Sequence, residues 1–294
     1  MEKVLVIVVT YNGMAWIDWC LSSLFHANFA VDVFVSDNLS TDDTVKHIKS
    51  NYPKVILSEN KKNLGFGGAN NIGFNYAIKH GYDYVYLLNQ DAWVFDNTIE
   101  TLVHVSVTHP EYAILSPLQC TASLKALDDD FYHNVPESLW RDVFFDSKKE
   151  VYETAFVMAA HWFIPVSSLN IIGAFSPAFF HYGEDDNYIN RVHWHGFKVG
   201  IVPALKVVHD REYRIDSKKK ILYMKSTFAI VRVSNPNVKW YLMIPRIMGS
   251  FCYSALKYAS FVPILHVVQF MIKLPHYLKI KKLSVIKKAF LTEI

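Results

Sequence analysis

Three consecutive acids form the densest group of potentially reactive side chains in this sequence. Glu184, Asp185 and Asp186 follow an aromatic run and begin a segment with helical spacing. Acids at the start of a helix are stabilised by the helix dipole, which is a purely structural explanation for them. A carboxylate there can also accept a proton from a hydroxyl group. Asp91 and His209 each follow an apolar run that predicts a strand, and a carboxylate with an imidazole can bind a divalent cation.

The elements that must position these residues follow from the pattern of apolar runs. Four runs predict strands, at 4–9, 31–35, 55–57 and 84–88, and segments with helical spacing separate them. This alternation predicts an α/β fold with a doubly wound, mostly parallel sheet flanked by helices. Ligands of such sheets bind at the carboxyl ends of the strands. Polar residues follow three of the runs: Thr10, Tyr11 and Asn12, then Asp37 and Asn38, then Asn89, Gln90 and Asp91.

The loop after the third predicted strand is rich in glycine. Gly65, Gly67 and Gly68 match part of the fingerprint that binds dinucleotides, but Asn70 stands where that pattern requires its last glycine. The loop also follows the third strand instead of the first, so no nicotinamide cofactor is predicted. The aromatic and hydrogen-bonding side chains after the first strand suit a nucleobase better than a pyrophosphate.

The composition describes a globular protein with a large core. Hydrophobic residues make up 51% of the 294 residues and charged residues 19%, which excludes a disordered chain. Cys20, Cys120 and Cys252 are too few and too far apart for a disulfide framework or a zinc site. This cysteine usage favours a reducing compartment, and the N-terminal run lacks the features of a signal peptide. We therefore predict a cytoplasmic protein.

Residues 237–294 differ from the rest of the chain in charge. They carry nine Lys or Arg residues and one acid, a net charge of +8, whereas residues 1–236 carry −5. Nine aromatic residues accompany this charge, and a cationic, aromatic, helical segment is typical of binding to an anionic membrane surface. The longest uncharged run, 258–272, has 15 residues and falls short of the roughly 20 that a spanning helix needs. We predict helices that lie on the inner face of the cell membrane; alternatively, they cover the rest of the chain or pair two copies in a homodimer.

Six short segments, in this order, resemble the inverting family 2 glycosyltransferases with the GT-A fold. The segments are Val8-Val9-Thr10-Tyr11-Asn12, Ser36-Asp37-Asn38, Asn63-x-Gly65-Phe66-Gly67, Asn89-Gln90-Asp91, Gly183-Glu184-Asp185-Asp186 and Val208-His209. The glycine loop together with Asn-Gln-Asp is most similar to the rhamnosyltransferase-like branch of the family. The resemblance implies a GT-A domain at 1–236, with a nucleotide-sugar-binding half at 1–105 and an acceptor-binding half at 106–236. The helical extension at 237–294 lies outside these motifs.

The resemblance also implies roles for the residues at the strand ends. Thr10, Tyr11 and Asp37 would hold the nucleoside, although a turn and cap is the structural alternative for Asp37. Asp91 would be the last Asp of the family's Asp-x-Asp motif and, with His209, would bind Mg²⁺ or Mn²⁺. The other residues predicted to line the nucleotide-sugar site are Asn12, Asn63, Gly67, Asn71, Asn89 and Gln90.

On the acceptor side, the resemblance makes Asp185 the base and Glu184 a contact of the acceptor hydroxyl. Trp162 would stack on an acceptor sugar, or else it belongs to a core strand. Two departures from the family pattern concern the diphosphate. Asn89 replaces the first Asp of Asp-x-Asp, and Asn70 stands where many relatives have Arg. Both changes weaken the expected binding of cation and diphosphate.

These residues together predict a metal-dependent inverting glycosyltransferase. We expect it to move a sugar, with rhamnose favoured, from a dTDP- or UDP-sugar to a saccharide or polyprenyl-linked acceptor in cell-surface polysaccharide synthesis. No nucleic acid partner is expected. The alternative from another class is a catalytically weak nucleotide-sugar-binding or scaffolding protein of a membrane assembly complex. A nucleotidyltransferase is disfavoured because residues 10–13 contain no Lys or Arg.

Overall fold

The four apolar runs form adjacent strands of one sheet. The computed structural model describes residues 2–211 and 217–291. The strands are β1 (Val4–Thr10), β2 (Asp32–Asp37), β3 (Ile56–Glu59), β4 (Tyr84–Asn89), β5 (Ala92–Trp93), β6 (Tyr112–Cys120), β7 (Tyr152–Glu153), β8 (His161–Pro165) and β9 (Lys198–His209). The helices are α1 (Ile17–His26), α2 (Thr44–Asn51), α3 (Gly65–Lys79), α4 (Thr98–Thr108), α5 (Asp129–Tyr132), α6 (Glu137–Phe144), α7 (Val166–Ile172), α8 (Glu184–Trp194), α9 (Lys218–Ser234), α10 (Trp240–Lys257) and α11 (Val262–Ser284).

The direction of the strands divides the sheet into a parallel part and a mixed part. Their order is β3-β2-β1-β4-β8-β6-β9-β5, and β7 pairs with β9. The first four are parallel neighbours, as the alternation of strands and helices predicts. β8 then runs antiparallel between β4 and β6, and β5 and β7 are antiparallel to β9. Because β6 and β9 share the direction of the first four strands, the prediction of an α/β, mostly parallel sheet is confirmed.

The central strand β1 explains why the first apolar run is continuous. Leu5 and Ile7 face one hydrophobic cluster together with Phe74 of α3. Val6 and Val8 face the opposite cluster, which includes residues of α1 and α4. A strand covered by helices on both faces has no solvent side, so it needs no polar alternation. Complete burial of each such side chain contributes about 1.5–3 kcal/mol to folding.

The register of the strands brings the candidate residues to one edge of the sheet. Thr10 is paired with Asp37 across β1 and β2, and Ala92 of β5 is paired with His209 of β9. Asp91 directly precedes Ala92, so the short β5 strand places it beside the end of β9. Since β1, β2, β4 and β9 run in one direction, their carboxyl ends share this edge.

The predicted C-terminal helical extension is present as α10 and α11, which pack with α9. The three helices share a hydrophobic cluster that includes Val233, Phe251, Phe270 and Tyr277. The predicted boundary at 236 falls between α9 and α10, and the division into domains stays a prediction. Across the two described ranges, no helix is both long enough and apolar enough to cross a membrane.

A buried arginine links the C-terminal helices to the rest of the chain through hydrogen bonds. Arg191 of α8 is fully buried and donates to the carbonyl oxygens of Ile172, Ala174 and Ser284. Ile172 and Ser284 are the last residues of α7 and α11, where carbonyl groups lack helical partners and a cation is favoured. The Phe290 ring lies 5.0 Å from the guanidinium carbon. Part of the extension therefore covers the chain's own sheet domain.

Candidate functional site

Two adjoining cavities open at the carboxyl ends of β1, β4 and β9. The strand-end cleft has a volume of about 470 Å³, and its walls include Tyr11, Asn63, Gln90 and Asp91. The acid cleft has a volume of about 310 Å³, and its walls include Glu184, Asp185, Asp186 and His209. Both are lined by Phe66, Asn89 and His181, so the two clefts are continuous. A ligand can therefore extend from one cleft into the other.

The side chain of Gln90 links the loops after β1 and β4 through two hydrogen bonds. The Tyr11 backbone N–H donates to Gln90 Oε1 at 2.9 Å, and Gln90 Nε2 donates to the Tyr11 carbonyl at 3.2 Å. A Cβ atom at Gly13 would lie 2.6 Å from Gln90 Oε1, so this pairing favours glycine there. The Tyr11 side chain is 48% exposed, and its ring can stack on a planar group of a ligand.

Asp37 is engaged inside the protein. Thr10 Oγ1 donates to Asp37 Oδ1 at 2.8 Å, and the Ser40 backbone N–H donates to Asp37 Oδ2 at 2.9 Å. Thr10 and Asp37 are both buried, and neither is among the described residues that line the two clefts. Both side chains therefore shape the turn after β2. Their direct contact with a nucleoside stays a prediction.

Three other residues predicted to line the nucleotide-sugar site shape the loops around it. Asn12 Oδ1 accepts the Thr41 backbone N–H at 2.8 Å. Both ends of the Asn71 amide bond to the Phe175 backbone, at 3.0 and 2.8 Å. A Cβ atom at Gly67 would lie 2.9 Å from Phe175 Cβ, so glycine lets α3 approach that ring. None of the three residues lines either cleft, and their direct contact with a ligand stays a prediction.

Trp162 is a core residue, and the prediction that it stacks on an acceptor sugar is wrong. It lies on β8 with 0% exposure, and its Nε1 donates to the Val157 carbonyl at 3.1 Å. Its ring lies 6.0 Å from Phe175 in a stacked arrangement and 5.6 Å from Tyr188. The core-strand alternative describes this residue. The apolar wall of the acid cleft is formed by Phe156, Met158, Met224 and Phe228.

The two predicted cation ligands lie side by side where the clefts meet. Asp91 lines the strand-end cleft and His209 the acid cleft, and Asp91 Oδ1 lies 3.8 Å from His209 Nε2. The pairing of Ala92 with His209 produces this proximity. Asn89 Nδ2 lies 3.4 Å from the same ring nitrogen. Asp91 is partly exposed, whereas His209 is buried.

This donor set fits a divalent cation that is also bound by a ligand. Asp91 offers a carboxylate oxygen and His209 an imidazole nitrogen. Within residues 2–211 and 217–291, no group of three or more His, Cys, Asp or Glu side chains is arranged to hold a metal. Mg²⁺ is commonly held by one or two carboxylates together with substrate phosphates. A cation at this position would therefore take further oxygen ligands from a bound phosphate compound.

The three acids occupy the first turn of α8. Gly183 precedes them with φ +83°, a left-handed conformation that favours glycine. Asp185 is half-buried, and its Oδ1 accepts the Asp186 backbone N–H at 2.9 Å. Glu184 is 5% exposed, and its Oε2 atom has no hydrogen-bond partner in the described part of the chain.

Burial raises the pKa of all three acids, and the charge of Asp185 raises the pKa of its two neighbours further. Burial, followed by the charge of Asp185, raises the pKa of Glu184 to about 8 and that of Asp186 to about 7. Burial also raises the pKa of Asp185, while the backbone N–H donors act in the opposite direction. Such a cluster retains protons at neutral pH. We assign the remaining negative charge to Asp185, because it receives the backbone donors.

Two charged residues near the cation ligands were not predicted from the sequence. Asp128 Oδ2 lies 3.3 Å from His209 Nδ1, and both side chains are buried. Arg211 lines the acid cleft, where its Nη1 lies 3.4 Å from Asp130 Oδ2. Asp128 and Arg211 belong to polar runs that look solvent-exposed in the sequence. No local pattern distinguishes them, because their positions depend on contacts between distant segments.

The N-terminal part of the chain matches the sequences of known glycosyltransferases. Residues 5–135 match the model of glycosyl transferase family 2. The dTDP-rhamnosyl transferase RfbG of Shigella flexneri is 36% identical over 111 residues, which cover 33% of this chain and 37% of that protein. The match therefore spans little more than a third of this curated relative.

Several solved structures share the fold. TarS of S. aureus matches with a TM-score of 0.57 at 17% identity, over 86% of this chain and 43% of TarS. TarS 1–349 in complex with UDP matches with 0.56 at 16% identity, over 82% and 68% of the two chains. GalNAc-T7 with UDP, GalNAc and Mn²⁺ matches with 0.60 at 16% identity, over 82% and 52%. At these identities the likeness shows the fold alone. The sequence match and the fold agree with the motif resemblance: residues 5–135 are similar to the family 2 glycosyltransferases, and the chain shares the GT-A fold.

Proposed function

We propose that this chain is a metal-dependent inverting glycosyltransferase that moves a sugar from a nucleotide diphosphate to a hydroxyl group. The observation that carries the proposal is the position of the Asp91–His209 pair between a cleft of ligand size and a cleft with an acid cluster. A donor lying across this junction would have its diphosphate beside the pair. Its base would lie near Tyr11, and its sugar would point toward Asp185.

The chemistry follows from the groups at the junction. Asp91 and His209 would hold Mg²⁺ or Mn²⁺, which when bound neutralises charge on the departing diphosphate. Asp185 accepts the proton of the attacking hydroxyl, and its raised pKa makes it a stronger base. Attack from the face opposite the diphosphate inverts the anomeric carbon in one step and needs no protein nucleophile. Glu184 lines the same cleft with an unpaired oxygen and, when protonated, can donate to an acceptor oxygen.

Two observations favour particular substrates. The similarity to a dTDP-rhamnosyl transferase supports rhamnose as the transferred sugar, carried on dTDP or UDP. The acid cleft has an apolar wall beside its carboxylates, which suits the apolar face of a saccharide or polyprenyl-linked acceptor. These substrates would place the chain in the synthesis of a cell-surface polysaccharide.

A panel of donors tests this function. Thermal unfolding is measured with Mn²⁺ and dTDP-, UDP- or GDP-sugars, because a bound ligand stabilises by about 2.7 kcal/mol at one hundred times its Kd. We expect stabilisation by one nucleotide class that requires Mn²⁺ and is lost in Asp91→Asn. The stabilising donor is then incubated with saccharide acceptors, and NMR should show an inverted anomeric centre. No stabilisation by any donor would contradict the proposal.

The same panel examines the second candidate, a nucleotide-sugar-binding or scaffolding protein. Asn89 motivates this alternative, because an amide there leaves one negative charge fewer beside the cation ligands. Donor-dependent stabilisation without transfer to any acceptor would favour it over the enzyme.

We also propose that α11 attaches the chain to the cytoplasmic side of an anionic membrane. Four apolar residues at the spacing of one helix face are exposed by 52–82%, namely Phe261, Leu265, Val268 and Ile272. Exposed lysines follow in the second half of the helix at Lys273, Lys279 and Lys282. Each such lysine near an anionic surface contributes about 1 kcal/mol. Several aromatic residues of the extension, including Phe251, Phe270 and Tyr277, are buried and take no part.

Co-sedimentation with vesicles of phosphatidylcholine and phosphatidylglycerol tests the attachment. Binding should weaken at high salt and in a Leu265→Ser, Ile272→Ser double variant. Val107→Ser removes an equally exposed apolar residue from α4 and is the matched control. A protein that stays in the supernatant at low salt contradicts the attachment. If light scattering shows a dimer that only the double variant disrupts, the homodimer alternative holds.

A further inference from the structure

We propose that Asp128 is a positioning residue that fixes His209 with its Nε2 atom free to bind the cation. The inference rests on the proposed function, because His209 is assigned there to the cation. Asp128 lines neither cleft among the described residues. It therefore acts on the site through the imidazole that it contacts.

The first observation is the contact between the two side chains. Asp128 Oδ2 lies 3.3 Å from His209 Nδ1, and the residues are 4% and 2% exposed. His209 Nδ1 makes no hydrogen bond to any other group within the described ranges, and the Asp128 carboxylate is the charged group that faces it. A carboxylate behind an imidazole fixes the ring orientation and places the ring proton on the nitrogen that faces it. In this protein, that nitrogen is Nδ1.

The second observation comes from the other ring nitrogen. Asn89 Nδ2 lies 3.4 Å from His209 Nε2. An amide NH₂ group donates, so this contact favours Nε2 as the accepting nitrogen of the neutral ring. Both contacts therefore favour one tautomer, with the proton on Nδ1 and the lone pair of Nε2 facing Asp91. This tautomer is the one that can bind a cation through Nε2.

The third observation explains why the Asp128 carboxylate is fixed. Its Oδ1 accepts the Phe131 backbone N–H at 3.0 Å, so Asp128 is the N-cap of the short helix α5. With one oxygen held by this cap, the other is directed at His209. The residues just after the cap, Asp130, His133 and Asn134, line the acid cleft. One carboxylate thus connects the cation ligand with a wall of the acid cleft.

The Asp128→Asn variant keeps the N-cap hydrogen bond of α5 and changes the contact with His209. Asparagine is a good N-cap residue, so its Oδ1 can keep the Phe131 N–H. Its NH₂ group then faces His209 Nδ1 as a donor and moves the ring proton to Nε2. A protonated Nε2 cannot bind a cation, so the variant should fold normally and bind metal poorly.

Two measurements report on the tautomer of His209 and on the binding of the metal. In metal-free protein labelled with ¹⁵N-histidine, the His209 signal, assigned with His209→Gln, should change from the Nδ1–H to the Nε2–H tautomer in Asp128→Asn. The Kd for Mn²⁺ alone, measured by EPR, should rise 10- to 100-fold, the usual effect of removing such a partner. Unfolding by urea should change little. Asp129→Asn, at an exposed neighbouring acid that lines neither cleft, is the matched control and should leave both readings at wild-type values.

An unchanged tautomer, or Mn²⁺ bound as tightly by Asp128→Asn as by the wild type, would overturn the inference. Lower stability with an unchanged tautomer would also overturn it and leave Asp128 as a helix cap only. Failure of the proposed metal site looks different, because the wild type itself would then bind no Mn²⁺. The tautomer comparison needs no metal and decides the role of Asp128 in that case as well.

Discussion

The two clefts differ in how their polar side chains are satisfied. Around the strand-end cleft, the polar groups bond to one another: Asp37 accepts from Thr10 and Ser40, and Gln90 pairs with the Tyr11 backbone. These bonds join the loops after β1, β2 and β4. The loops are therefore held in position before any ligand arrives, which lowers the cost of ordering them on binding.

The acid cleft leaves polar groups without such partners. Glu184 Oε2 is buried and unpaired, and the pKa values of all three acids are raised. A buried polar group without a partner costs about 1–3 kcal/mol. Such costs are typically retained at functional sites. The difference fits the proposed function, in which the strand-end residues mainly build the shape of the site and the acids take part in the reaction.

Of the variants that test this difference between the clefts, Asp185→Asn should show the largest change in activity. Asp185→Asn removes the proposed proton acceptor, so we expect turnover to fall by roughly 10²–10⁴, the range for loss of a general base. Nucleotide and Mn²⁺ binding, measured by calorimetry, should stay near wild type because the strand-end cleft is intact. The wild-type rate should also fall as the pH drops through the raised pKa of Asp185, because the protonated form cannot act as the base.

Asp186→Asn is the control for that experiment, because it changes the neighbouring acid and keeps Asp185. If Glu184→Gln abolished transfer while Asp185→Asn remained active, the base would be Glu184. Equal loss of donor binding and turnover in Asp185→Asn would contradict the separation of the two clefts.

The unpaired acid should make stability depend on pH. The pKa of Glu184 is about 8 in the folded protein, against an ordinary value of 4.5. Its contribution to stability is therefore complete below 4.5 and is lost as the pH rises through about 8. Glu184→Gln cannot ionise, so it should avoid a loss on the order of 4 kcal/mol that the wild type shows between pH 5 and 9. Urea unfolding at pH 5, 7 and 9 measures the difference.

Glu137→Gln is the matched control, since it changes an exposed acid in the first turn of another helix, α6. Its stability should follow the wild-type pH profile. Parallel profiles for Glu184→Gln and the wild type would show that Glu184 is not strained in the folded state.

Local patterns predicted the fold and part of the site. β1 to β4 were predicted because each is an apolar run separated from the next by a segment with helical spacing, and this order of elements implies a parallel sheet. The proximity of Asp91 and His209 was predicted from the motif order and is produced by the pairing of β5 with β9. The antiparallel insertion of β8 depends on pairing between distant segments, which no local pattern encodes.

The direction in which a side chain points is the feature that the sequence patterns predict least well. Trp162 was predicted at the acceptor site, yet its ring lies in the core because Phe175 and Tyr188, from later segments, surround it. Asn71 belongs to a family motif, but its amide donates to and accepts from the Phe175 backbone. A motif identifies residues that a site needs. Only the packing shows whether each one contacts the ligand or holds the loop that does.

Thr10→Val tests the structural role of the strand-end residues, with the smallest expected effect. The substitution keeps the shape of the side chain and removes the hydroxyl that donates to Asp37 Oδ1 at 2.8 Å. Because this hydrogen bond to a carboxylate is buried, we expect the free energy of unfolding to fall by about 1–2 kcal/mol. Thr108→Val removes an exposed hydroxyl that bonds only within α4 and should change stability by much less. Since Thr10 lines neither cleft, the Kd for the donor nucleotide should rise only a few-fold, through the loosened turn after β2. A hundred-fold loss of nucleotide binding with unchanged stability would instead make Thr10 a direct contact, and the strand-end cleft would then resemble the acid cleft in keeping its polar groups for the ligand.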